Sequence, residues 1–265
     1  MYDFTFLRPK TLAEAVAALT ADDDAMALSG GQTLLPTMKQ RLASPSTLVS
    51  LTGIPDLRGV ALDDEGRLVV KAATPHAVVA KEAAGPYPAL AALAGQIGDP
   101  AVRSRGTIGG SLANNDPSAC YPAAALGSNA LIRTNARDID CDAYFQGMFT
   151  TALEPGEIIT EVVFPIPESA AYVKFPQPAS RFALVGVFVA RFFNEVRVAV
   201  TGASGEGVYR WSEAEAALAA DFSPAALDAL EVPEDGMIAD IHGTAAYRAH
   251  LVRVMARRAV AAATA

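Results

Sequence analysis

The sequence predicts an α+β protein in two domains, and three observations predict it. Strand-like and helical segments alternate through the first part of the chain. Pro165-Ile166-Pro167 then interrupts them, and beyond it come a strongly apolar strand, an alternating strand and several helices. Closely spaced prolines disrupt both helix and interior strand, which places a boundary there. A chain of 265 residues accommodates one large domain or two modest ones, and the change of texture favours two.

The elements follow in order. Tyr2 to Leu7 alternates partly and ends at Arg8-Pro9, as a short strand does. Thr11 is placed to cap a helix with Glu14 at its third position and Leu12, Val16 and Leu19 on one stripe. After the turn Asp22-Asp23-Asp24, Ala25 to Leu28 reads as a strand, and Leu48 to Leu51 as another. Gly59 to Val70 predicts a hairpin centred on Asp64-Glu65-Gly66, followed by short helices over Ala77–Ala84 and Tyr87–Ala94. Gln96 to Gly106 reads as irregular, Pro122 to Leu126 as a brief helix, and Ala130–Arg133 and Glu157–Phe164 as strands. In the second domain Ala183 to Phe193 is an apolar strand, Asn194-Glu195 a turn, and Val196 to Val200 its partner. Helices are expected over Ser212–Ala220, Ser223–Leu230 and Thr244–Ala262, the last burying a face of Tyr247, Leu251 and Val254.

Composition narrows the function. With 21 Lys and Arg against 29 Asp and Glu, the formal net charge is -8, and no basic cluster tracks a phosphate backbone. Nucleic acid and anionic membrane surfaces are therefore poor partners. The 2 cysteines, Cys120 and Cys141, fall short of the thiolates an iron–sulfur cluster needs and form no close pair for structural zinc. The 3 scattered histidines define no metal shell, and no serine or cysteine has an identifiable histidine–acid pair. We expect no metal site and no protein nucleophile. Met1-Tyr2-Asp3-Phe4 lacks the pattern of a secretory signal and no apolar run spans a bilayer, so a cytoplasmic setting is expected.

The most informative residues are two glycine pairs. Leu28-Ser29-Gly30-Gly31-Gln32-Thr33-Leu34-Leu35-Pro36 follows an apolar stretch, as does Thr107-Ile108-Gly109-Gly110-Ser111-Leu112-Ala113-Asn114-Asn115-Asp116-Pro117. Glycine lacks a Cβ, so its backbone turns tightly and can present successive amide hydrogens to a phosphate oxygen. Thr33 adds a hydroxyl, a helix beginning at Leu34 adds N-terminal amides, and Lys39 or Arg41 can add charge. A double glycine also serves in a plain tight turn, and the small polar residues of the second segment can satisfy their own backbone. Neither segment is the usual dinucleotide fingerprint or the lysine-bearing phosphate loop.

Taken together, these segments closely resemble the medium, FAD-binding subunit of the molybdenum hydroxylase family, the carbon monoxide dehydrogenase and xanthine dehydrogenase group. Ala27 to Lys39 is similar to that family's first FAD loop and Ile97 to Gly110 to its second. Ala72 to His76, Ala171 to Phe175, Ser180 to Gly186, Ala199 to Ala203 and Asp240 to Arg248 extend the likeness along nearly the whole chain. The resemblance implies a two-part FAD-binding domain of the PCMH/vanillyl-alcohol oxidase type over residues 1–165, with subdomains of approximately 1–55 and 56–165. A smaller α+β C-terminal domain of the carbon monoxide dehydrogenase flavoprotein type, with an antiparallel sheet and helices, would occupy 166–265.

It also implies a site. Ser29, Gly30, Gly31, Gln32, Thr33 and Leu34 would surround the FAD pyrophosphate, and Thr107, Gly109, Gly110, Asn114 and Asp116 would complete the second side. Ile97 and Leu153 would lie near the flavin or its ribityl chain, and Lys174 would approach the isoalloxazine edge, where a cation favours the anionic reduced flavin. Where the family commonly has an acid that bonds a cofactor hydroxyl, this chain has Cys120, a weaker hydrogen-bonding group. The implied function is an FAD-containing electron-transfer subunit. A large partner would hold the molybdenum cofactor and a small one [2Fe-2S] clusters, and the assembly would be a dimer of heterotrimers. A self-contained flavoprotein oxidoreductase and a non-catalytic assembly subunit are the alternatives. His76 reads most economically as a helix entry.

Overall fold

The computed structural model describes residues 1–265. The chain opens with β1 (Thr5–Leu7), α1 (Leu12–Thr20), β2 (Ala25–Leu28), α2 (Leu34–Lys39) and β3 (Thr47–Ser50). Parallel neighbours need a crossover, and α2 carries the chain from β2 to β3. β3 lies between β1 and β2, with Phe6, Leu48 and Met26 in register. Thr11 caps α1 as the sequence predicts, its Oγ1 accepting from the Glu14 amide at 3.2 Å. Ala15 of α1 packs with Val49, Leu51 and Ile54, while Met38 of α2 packs with Leu28 and Leu48. Alternate residues of β3 thus face opposite helices.

The next part is an antiparallel sheet wrapped by helices. β4 (Val60–Leu62) and β5 (Leu68–Lys71) form the expected hairpin. Then come α3 (His76–Glu82), α4 (Pro88–Gly95), α5 (Pro100–Arg103), α6 (Ile108–Asn114) and α7 (Cys120–Gly127). β6 (Leu131–Thr134), β7 (Asp138–Asp140), α8 (Cys141–Tyr144), the ribbon β8 (Phe145–Gly147) and β9 (Thr150–Thr151), and β10 (Ile159–Phe164) complete it. The sheet order is β4-β5-β10-β6-β7, so the last strand in sequence occupies the centre. That position explains the burial of Ile159, Val162, Val163 and Phe164 in β10. Glu161 in the same strand sits across from Lys71 and Arg133 and is paired with both, at 2.8 Å from Arg133. Burial alone would raise the Glu161 pKa, but hydrogen bonds and charge from Lys71 and Arg133 outweigh it and hold the carboxyl below its usual range.

The C-terminal part is a second antiparallel sheet of β11 (Ser169–Pro176), β12 (Ala183–Arg191), β13 (Val196–Thr201) and β14 (Tyr209–Arg210), in that order. It is followed by α9 (Ser212–Ala220) and α10 (Ala245–Ala263). Phe188 and Ala190 of β12 join the core formed by α4 and α7, whereas Val185, Val187 and Val189 face Leu251, Met255 and Ala259 of α10. Burial on both faces is why β12 reads as continuous rather than alternating. No helix is long and apolar enough to cross a membrane.

Several expectations need correction. The second glycine pair lies in the first turn of α6, not in a loop, because Thr107 supplies a cap. The stretch expected to be irregular contains α5, capped by Asp99, whose Oδ1 accepts from the Val102 amide at 2.9 Å. Ser223–Leu230 yields only a 3-10 turn over Pro224–Leu227. The buried stripe of α10 runs through Arg248, Leu251, Val252 and Met255, leaving Tyr247 exposed. Arg248 enters the core because its guanidinium donates to the Leu184 and Gly202 carbonyls and pairs with Asp240.

Candidate functional site

The two glycine segments meet. They form adjoining walls of one cleft of about 540 Å³, completed by α3, α7, β11 and the segment 177–182. The first segment leaves β2 at Leu28 and turns at Gly31, whose φ of 69° favours glycine. Gly30 is a steric necessity of another kind. A Cβ there would strike the Arg105 carbonyl oxygen and lie 2.5 Å from the Gly106 Cα, so the two backbones pass at a distance only glycine permits. Ser29 Oγ and Thr107 Oγ1 are 2.7 Å apart and share a hydrogen bond.

Thr107 organises the second wall. Its Oγ1 also accepts from the Gly110 amide at 3.1 Å, capping α6, and its neighbour Pro75 forms a bridge to it from the entry of α3. Gly109 presses on β5's end, donating its amide to the Ala72 carbonyl at 2.9 Å, and a Cβ there would lie 2.6 Å from that of Ala72. Gly110 packs directly against Ser29, where an added Cβ would meet the Ser29 Cβ at 3.4 Å. Gln32 bonds back to the Gly30 carbonyl at 3.2 Å, and Thr33 begins α2 without capping it by its side chain. Leu34 packs under the turn with Leu28 and Met38.

The remaining predicted residues line the same cleft. Ile97 precedes α5, Asn114 ends α6, Asp116 lies in the turn before α7, Cys120 begins α7, and Leu153 and Lys174 come from β9's exit and β11. Burial raises the Asp116 pKa, opposed by the hydrogen bond its Oδ1 accepts from the Ser118 amide at 2.8 Å. Lys174 is tightly held. Its Nζ donates to the carbonyls of Gln96 and Arg181, each at 2.8 Å, and lies 3.5 Å from Cys120 Sγ. It clamps α4, α7 and the 177–182 segment together at the cleft wall. Lys39 and Arg41, considered as extra charge, do not line the cleft, and Arg41 instead sits 5.4 Å over the Tyr2 ring. Arg103 is also committed elsewhere, to the carbonyls of Ile97 and Gly98. The amides of residues 30–34 make no hydrogen bond within the protein, whereas those of Ile108, Gly109 and Gly110 donate to Thr74, Ala72 and Thr107, so the first segment supplies the free amides available to an anion.

The sequence did not single out Gly98, Gly106 or Phe182, which join the cleft through contacts between distant segments. Gly98 has a φ of 52°, a signal that an isolated glycine does not reveal in sequence. His76 does begin α3 as expected, yet its ring also lines the cleft. Asn115, counted among the small polar residues, holds the β8–β9 ribbon instead, donating to the Gly147 and Thr150 carbonyls at 2.8 Å each.

Comparison with known proteins agrees with this geometry. Residues 2–167 match the family described as FAD binding domain in molybdopterin dehydrogenase. The nicotine 6-hydroxylase medium subunit of Paenarthrobacter nicotinovorans is 33% identical over 96% of this chain and 95% of its own length. The carbon monoxide dehydrogenase medium chain of Afipia carboxidovorans is 32% identical over 97% and 95%, respectively. Among solved structures, reconstituted CO dehydrogenase from Oligotropha carboxidovorans superposes with a TM-score of 0.90 at 32% identity, covering 99% of this chain and 98% of that one.

Proposed function

The chain belongs to the family of FAD-binding domains in molybdopterin dehydrogenases, the medium flavoprotein subunits of heteromeric molybdenum hydroxylases, and from that membership we propose how it works. It accepts electrons from [2Fe-2S] clusters on a small partner subunit and passes them to an external acceptor. A large partner holds the molybdenum cofactor and oxidises the substrate. The complex is a cytoplasmic dimer of such heterotrimers, and this chain divides into an FAD-binding domain over 1–165 and a C-terminal domain over 166–265.

The observation that carries the reading is the convergence of both glycine segments on one cleft. Its volume of about 540 Å³ lies in the range of cofactor sites. Glycine is what lets the two segments close on each other: a Cβ on Gly30 would strike the Arg105 carbonyl, and one on Gly110 would lie 3.0 Å from Thr107 Oγ1 and 3.4 Å from the Ser29 Cβ. Ser29 to Leu34 and Thr107 to Asn114 would hold the pyrophosphate, chiefly through the free amides of the first segment. Ile97, Leu153 and Lys174 surround the flavin, and Asp116 and Cys120 face its sugar-like chain. FAD, when bound, supplies the redox chemistry, taking up and releasing electrons.

This chain's residues bind, orient and enclose. The loop amides offset the diphosphate charge without reorganising. Lys174, fixed by two carbonyls, keeps its charge at a set position on the wall.

Visible spectra and metal analysis of the purified complex test the proposal. One FAD per copy of this chain, together with iron and molybdenum and flavin that substrate bleaches, is the expected result. A complex without stoichiometric FAD, or flavin that substrate cannot reduce, contradicts it. Rapid substrate-dependent bleaching by the isolated chain favours a self-contained flavoprotein.

A further inference from the structure

We infer that His76 is a cofactor-contacting residue, its ring hydrogen-bonding an uncharged hydroxyl or carbonyl group of bound FAD; the inference rests on the assignment of the cleft to FAD. The ring is part of the cleft wall although the residue is only 4% exposed. Its position is fixed from both ends. The His76 amide donates to the Gly106 carbonyl at 2.9 Å, and the ring lies against Tyr121 with centroids 5.3 Å apart. The second glycine segment runs past its edge so closely that a Cβ on Gly106 would lie 2.5 Å from His76 Nε2.

An unpaired buried polar group costs about 1–3 kcal/mol, which a hydrogen bond from the ring to a ligand would in part offset. His76 Nδ1 is buried and has no partner. The adjacent Thr74 shows what satisfaction looks like here: its Oγ1 donates to the Gly59 carbonyl at 3.1 Å and accepts from the Gly59 amide at 3.0 Å. The His76 ring has no comparable arrangement: Nδ1 is shielded from the cleft, and Nε2, on the Gly106 side, makes no hydrogen bond within the protein and is the ring nitrogen left for a ligand.

The kind of group it meets follows from its charge state. Burial pushes the His76 pKa down to about 4, and the nearby Arg103 charge pushes the same way. Near neutral pH the ring therefore offers one N–H donor and one acceptor nitrogen. A diphosphate presents acceptors only and is matched by the free amides of the first glycine segment. A ribityl hydroxyl or a flavin carbonyl suits a neutral imidazole.

Nitrogen NMR of the full chain carrying labelled histidine tests this without altering the residue. On titrating FAD into apoprotein, the His76 ring resonances are expected to shift, while those of the exposed His242 and His250 stay in place. In parallel, His76→Phe is expected to bind FAD about tenfold more weakly, a loss of ~1.4 kcal/mol, and His76→Gln to recover part of that loss. Stoichiometric FAD binding with unmoved His76 resonances overturns the inference and leaves the cleft assignment intact. A folded His76→Phe variant with wild-type affinity does the same. Failure of the wild-type chain to bind FAD overturns the cleft assignment, and the inference with it.

Discussion

Ser29 and Thr107, 78 positions apart in the chain, share a 2.7 Å hydrogen bond that ties the two glycine segments into one site. Thr107 Oγ1 does double duty, since it also caps α6 at the Gly110 amide. The hydroxyl thus couples a local helix signal to a long-range contact.

Replacing Thr107 by valine keeps the shape and removes both bonds. We expect a loss of stability of about 1–2 kcal/mol, the upper part of the range for a lost cap, and weaker FAD binding. Urea unfolding and calorimetric titration of the same preparation check this. An unchanged affinity would mean that the link between the segments is irrelevant to the cofactor.

Gly30→Ala tests the close approach of the two backbones. The new methyl would lie 2.5 Å from the Gly106 Cα and press on the Arg105 carbonyl, and neither is the end of a flexible side chain. A destabilisation of about 1–3 kcal/mol is expected from overpacking, with loss of FAD. Gly85→Ala is the control, because nothing lies within 4 Å of the added atom there; its effect is expected within about 0.5 kcal/mol.

How much of this was legible depends on the range of the contacts involved. The strands β3, β10 and β12 and the capped helix α1 are written in local apolar spacing, and the glycine pairs stand out by composition. α6 was hidden because Gly109 and Gly110 are poor helix formers, and what holds them in a helix is the Thr107 cap together with the contact with Ala72. Tyr247 was misplaced because its neighbour Arg248 reaches buried carbonyls from the far side of the sheet, a satisfaction invisible in periodicity. The site residues themselves could be gathered by likeness to a family. The roles of Gly106 and His76 come from a contact between α3 and the segment before α6, which no local pattern encodes.

Stability should fall on mild acidification. His76 is held to a pKa of about 4, below its ordinary 6.5, so between those values the unfolded chain binds more protons than the folded one. The contribution is fully present above pH 6.5 and is lost progressively as pH falls towards about 4, up to roughly 3 kcal/mol in all. Unfolding free energies measured across that window should decline for the wild-type chain and flatten for His76→Phe. Equal slopes for the two proteins would show that His76 is not the group responsible.

Cys120→Asp addresses the sequence departure directly. The new carboxylate would stand beside the Lys174 ammonium, now 3.5 Å from the thiol, and would be a stronger acceptor for a cofactor hydroxyl than sulfur is. FAD is expected to bind about fivefold to tenfold more tightly, in line with the ~1 kcal/mol typical of a gained hydrogen bond. Calorimetric titration of apoprotein showing no gain would contradict that role for position 120.

The most direct measurement is the structure of the FAD-loaded protein. The account predicts a single FAD whose diphosphate oxygens accept hydrogen bonds from the free amides of the Gly30–Thr33 segment and lie against the Thr107–Gly110 segment. A diphosphate bound to one segment alone, with the other turned away from the cofactor, would contradict it.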